Sequence, residues 1–195
     1  MAQTVDEIVR DMMVSTLSAV LCSHGSNGST PTELTDADVV DVIMGLRQGN
    51  ARMMAPQKMG ENKFGSAPIR ESYWGFMSVD LQDDLEDLDT FVPVSDYPNS
   101  GGVLDSEWGA TKNIRWLQST NGYSSGGTYS NFVVGQESYG VVKLGGHGSQ
   151  MIMKPLGSAG TADPLDQRAS AGWKMQYACR VLNDNWIAQL TCTHS

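Results

Sequence analysis

Three histidines, three cysteines and one dense acidic run are the groups in this 195-residue chain best suited to chemistry. Their spacing argues against most of it. His24, His147 and His194 lie far apart; none sits at the i, i+4 spacing that aims two imidazoles at one metal, and no H-E-x-x-H occurs. Cys22, Cys179 and Cys192 are an odd number without a C-x-x-C pair, so neither a structural zinc site nor a disulfide framework is expected, and a reducing compartment fits. The acidic run "DLQDDLEDLD", residues 80 to 89, lacks the D-x-D-x-D-G pattern of a calcium loop. Leu81, Leu85 and Leu88 recur in it at helical spacing, which predicts a short amphipathic helix with a solvated acidic face. "GGHGS" at 145 to 149 has the glycines of an oxyanion loop but no accompanying G-x-S-x-G elbow, and is expected to be a tight loop between strands. "KPLGSAGTADP" at 154 to 164 lacks the Gly-Lys-Ser or Gly-Lys-Thr that ends a phosphate loop. No catalytic residue, cofactor or metal site is expected.

The composition narrows the field further. Twenty-two acids against thirteen bases give a net charge of -9, and no segment gathers Lys and Arg into a stripe, so a direct grip on nucleic acid is not expected. With 40% hydrophobic and 18% charged residues the chain is globular, and 21 glycines against 7 prolines point to many turns between short strands. Its length fits one domain, or one domain with a lobe. The start "MAQTVDEIVRDMM" carries acids where a secretory leader would carry bases, and no apolar run approaches the ~20 residues of a membrane span. Asn27-Gly28 reads as a turn.

The elements that must carry these groups follow from periodicity. Val5, Ile8, Val9, Met12, Met13, Leu17, Val20 and Leu21 predict one helix over residues 4 to 23. "SHGSNGSTP" breaks it, and "TDADVVDVIMGLRQGN" starts a second helix with Thr35 as N-cap, Asp38 three residues on and Gly49 as the stop. Residues 50 to 72 show no sustained period and read as a long loop, whose Met53, Met54 and Met59 form either a surface patch or ordinary packing. Strands are predicted at 73–79, 112–120, 129–135 and 141–144, and again in "MIMKPL", "GWKMQYACRVL" and "WIAQLTC". A helical first quarter followed by strands is the α+β class.

The connected order of segments carries a resemblance. Tyr97, Gly101 and Gly102 precede Glu107, Trp108 and Gly109, a strand from Arg115 to Thr120, and a glycine and aromatic element from Gly135 to Gly140. The most specific block holds Lys154, Pro155, Gly160, Asp163, Pro164, Leu165, Gln167, Arg168, Gly172, Trp173 and Lys174. With "TELTDADVVDVIMGLRQGNARMM" and "YWGFMSVDLQDDL" upstream, this order resembles the major capsid proteins of tailed bacteriophages, in particular the subgroup found in Schitoviridae and many prophages, over residues 5 to 190.

That resemblance implies an HK97-type fold, a P-domain with a long spine helix and an A-domain around a central sheet. Residues 4–30 would hold the spine helix and the start of the P-domain, 31–150 mainly the A-domain, and 151–195 the strands returning to the P-domain. "DPLDQR" would be the corner of that return: Pro164 pre-sets the turn, Asp163 accepts turn amide hydrogens, and Arg168 binds a neighbouring carboxylate or carbonyl. Asp163, Pro164, Asp166, Arg168, Trp173 and Trp108 are therefore the structural or assembly candidates. The implied role is structural, not enzymatic: hexameric and pentameric capsomers of this chain in a virion shell, assembled in the bacterial host cytoplasm. The packaged DNA would be enclosed without being specifically bound. Scaffold, portal or decoration proteins are the further partners, and no membrane is involved. The family's N-terminal arm and extended loop have no counterpart before the first helix, which predicts monomers or small rings for the chain alone. Two other classes stay open: a β-rich ligand- or glycan-binding module stacking on Trp74, Trp108, Trp116 and Trp186, and a hydrolase using His147 with Ser149 or an acid.

Overall fold

The computed structural model describes residues 2–22, 30–54, 71–97, 103–143, 149–158 and 162–194. Helix α1, Ala2–Thr16, is shorter than its periodicity predicts, at about 22 Å rather than 30 Å. Val20 and Leu21 satisfy helical spacing, but a short apolar run with a β-branched residue suits a strand equally well, and a partner strand decides. Ala19–Leu21 forms β1, paired in parallel with the last strand, β12 (Ile187–Thr193), with Val20 opposite Leu190.

Helix α2, Asp36–Gln48, starts as predicted. The Thr35 side chain accepts from the Asp38 amide while the Asp38 carboxylate accepts from the Thr35 amide, closing a capping box. Its end differs in detail. Asn50, not Gly49, takes the left-handed conformation (φ 56°), and the Ala51 amide reaches back to the Leu46 carbonyl. Gly49 is needed for room instead, since a Cβ there would stand 2.6 Å from the Asn185 carbonyl oxygen.

The remaining strands are β2 (Tyr73–Ser78), β3 (Phe91–Pro93), β4 (Glu107–Thr111), β5 (Ile114–Ser119), β6 (Tyr123–Ser125), β7 (Thr128–Val134), β8 (Tyr139–Lys143), β9 (Gln150–Lys154), β10 (Ser170–Lys174) and β11 (Tyr177–Val181). Eight of them form one mixed sheet in the order β1-β12-β7-β2-β5-β4-β3, with β6 added beside β7. The acidic run folds as a single 3-10 turn, Val79–Leu81, followed by helix α3, Gln82–Glu86, and buries Leu81, Leu85 and Leu88.

Period-two alternation divides the core between the two faces of this sheet. Tyr73, Met77, Val133 and Leu190 face α2 and α3 and pack with Val39, Val42, Leu46 and Leu85. Trp74, Phe76, Phe132, Val134 and Ile187 face the other way, onto Val9, Met12 and Met13 of α1 and Leu17 just beyond it. Met53 packs against the first cluster and Met54 against the second, so these two methionines are packing residues; Met59 lies outside the described residues. Cys22 and Cys192 are buried free thiols, and the hydrogen bond to Cys192 together with burial holds the Cys22 thiol far above its usual pKa.

The chain divides into two compact units, residues 1–139 with 181–195, and residues 140–180. The sheet and three helices make up the first. The second is built from two-stranded pairings, β8 with β11 and β9 with β10. "DPLDQR" therefore feeds a strand whose partner is β9 alone, and the chain rejoins the large sheet only at β12. Among the described residues β10 finds its ladder partner in β9, within its own unit.

Candidate assembly surface

The corner is built around Asp163. Its carboxylate is buried and accepts a 2.6 Å hydrogen bond from the Arg168 amide, while its carbonyl accepts from the Asp166 amide at 3.1 Å. Asp166 sits at φ 52°, a left-handed position that Asp tolerates better than most residues. Pro164, Leu165 and the Arg168 side chain are exposed. The turn-acceptor role expected of Asp163 is thus realised by a backbone partner five residues on.

This turn delivers β10 antiparallel to β9, and opposite residues share a face. One face carries Met151 and Met153 with Trp173, which is opposite Met151. Met151 is 67% exposed, Met153 68% and Trp173 48%. The reverse face carries Ile152 opposite Gly172, with Lys154 and Lys174 at its two ends. A Cβ added at Gly172 would meet nothing within 4 Å, so this face is open as well. A two-stranded ribbon is marginal alone in water, and apolar residues left bare on both faces mark a surface awaiting a partner.

Trp108 lies in the other unit. The β4–β5 register slips between Glu107 and Gly109, a bulge that leaves Trp108 as the extra residue and turns its ring outward, 38% exposed. Its indole N–H donates to Glu86 Oε1 at 2.9 Å, which seats the ring beside the exposed acids of α3. The other tryptophans do not join it as a stacking platform. Trp116 is fully buried over Gly75, Trp74 packs against the second core cluster, and the Trp186 indole donates to the Gly49 carbonyl at 2.8 Å. His147, on which a hydrolase reading depends, lies outside the described residues, as do Asn27 and His24. His194 pairs with the buried carboxylate of Asp84 at 3.0 Å, and that bond raises its pKa.

Sequence reasoning placed Tyr97, Glu107 and Arg115 in one motif without foreseeing their contact. Glu107 receives Arg115 Nε at 2.7 Å and Nη2 at 2.5 Å, the Tyr97 hydroxyl at 2.9 Å and the Leu104 amide at 2.8 Å. Burial, then the neighbouring Glu107 charge, pushes the Tyr97 hydroxyl well above its usual pKa. The two-residue turn Lys112–Asn113, with Lys112 at φ 53°, folds β4 onto β5, and the register sets Glu107 opposite Leu117, on the same face of the hairpin as Arg115. Every charge in this cluster is matched, so its chemistry is that of an anchor.

The architecture just described is shared with solved structures. A structure from Mycobacterium phage Che8 superposes with a TM-score of 0.60 at 10% identity, over 97% of this chain and 58% of that one. The acid-stable capsid structure of Helicobacter pylori bacteriophage KHP30 gives 0.61 at 8% identity, over 98% and 65%. The holo-SrpI encapsulin complex from Synechococcus elongatus PCC 7942 gives 0.56 at 8%, over 97% and 60%. The fold is the HK97-type capsid fold, as the sequence resemblance implies. The chain spans about three-fifths of the length of these structures. No protein-family model matches the sequence, and no curated protein matches it either.

Proposed function

We propose that this chain is a major capsid subunit, packing with copies of itself as hexamers and pentamers into the icosahedral head that encloses a phage genome. The observation that carries the reading is the 140–180 unit, whose β9–β10 ribbon leaves Met151, Ile152, Met153 and Trp173 bare on a fold shared with capsids. Stability of such a shell comes from repetition: each head-to-tail contact is modest, and rings that close make many of them simultaneous. No reaction is required of any residue. Scaffold, portal and decoration proteins are the further partners this role would bring, and the bacterial cytoplasm is the place of assembly.

A net charge of -9 fits a subunit that encloses DNA without condensing on it. Within this reading, residues 4–30 and 151–195 form the peripheral domain and 31–150 mainly the axial one. Pairing of β1 with β12 supports joining the first and last of these segments. The test is sedimentation velocity of the purified chain across concentration, with electron microscopy of any heavy species. Rings, sheets or closed particles support the role, and a strict monomer at every concentration would leave the fold standing but return weight to the binding-module reading.

A further inference from the structure

Charge is distributed unevenly between the two units. Residues 140–180 contain five bases and two acids, while the rest of the chain contains eight bases and twenty acids. The basic unit presents the Ile152 face of its ribbon with Lys154 and Lys174 exposed at either end and an open slot over Gly172. On the acidic unit, the half-exposed Trp108 ring donates its N–H to Glu86, and the exposed Asp83 and the C-cap Asp87 fall at helical spacing on the same side of α3. An aromatic ring rimmed by carboxylates is the complement of a glycine slot rimmed by ammonium groups.

We propose that these two surfaces meet between copies of the chain, Trp108 of one subunit lying over Gly172 and Ile152 of the next, with Lys154 and Lys174 against the α3 acids. The proposal rests on the shell reading and names the contact that reading requires. Glycine inside a strand leaves its neighbours' flank open for a foreign ring to approach the backbone closely. Lysines beside an indole add a cation–π attraction to the ion pairs. The two patches differ, so the contact is heterologous and propagates head to tail, the geometry that closes rings. The bulge at Trp108 acquires a purpose: it turns outward a ring that a regular β4 would have aimed differently.

The test uses the full chain and two charge-reversed variants at exposed positions, K154E/K174E and D83K/D87K. Each alone should self-associate at least about tenfold more weakly than the unaltered chain, since like charges then face each other. Mixing the two should restore association, because both kinds of contact in an alternating ring are again of opposite sign. Association unchanged by either reversal, or not restored on mixing, would overturn this contact while leaving the shell reading standing. An unaltered chain that never associates would overturn this contact and count against the shell reading. If K154E/K174E loses only retention on double-stranded DNA and self-associates normally, the basic face serves nucleic acid and the proposal fails.

Discussion

The Glu107 carboxylate and the Arg115 guanidinium form a two-point ion pair, at 2.7 and 2.5 Å, with side chains 0% and 6% exposed. Removing one partner leaves the other charged and dry, which costs about 3–5 kcal/mol in comparable settings. Glu107→Ala should therefore lower the free energy of urea unfolding by that amount, and a Glu107→Leu, Arg115→Met double variant should lose clearly less. Equal losses would show that packing rather than charge holds this end of the hairpin.

Gly75 faces Trp116 so closely that an added Cβ would lie 2.4 Å from the ring and 2.9 Å from Ile114. Both neighbours are fully buried and cannot yield freely. Gly75→Ala should destabilise by about 1–3 kcal/mol, the usual range for overpacking. Denaturant midpoints of the two proteins check it.

His194 provides a pH dependence with a definite sign. Its pKa is raised above 6.5 by the hydrogen bond to Asp84, so the folded state holds the proton more tightly than the unfolded chain. The contribution to stability is complete below the unfolded pKa and disappears as pH rises through the folded one. The melting temperature should fall across that window, and His194→Gln should remove the step. A fall that persists in the variant would assign it to another group.

Asp163→Ala strips the acceptor from the part-buried bond of the Arg168 amide. Amide exchange in β9 and β10 should accelerate, while core amides of β7 and β12 keep their protection, because the lost bond lies within the 140–180 unit. Uniform acceleration would tie the ribbon to global unfolding.

How legible these features were varied with the physics behind them. The α2 start was plain because a capping box is local: Thr35 and Asp38 lie three residues apart. The buried leucines of the acidic run and most strands were plain for the same reason. The end of α1 was not, since Val20 fits either a helix or a strand and only β12, some 170 residues away, decides. The Asp163 turn could be read from its residue types, whereas the partnerless ribbon it serves could not, because strand pairing is nonlocal. Nor could the Glu107 anchor, whose four donors come from three separate segments.

The placement of β12 between β1 and β7 sets a schedule for synthesis. Until residues 187–193 have left the ribosome, β1 has no neighbour in the sheet and β7 has one side bare. Leu190 and Ile187, which bring apolar weight to opposite faces, also arrive last. The nascent chain must therefore wait with its sheet split open, and closing it is a long-range pairing of the kind that slows folding.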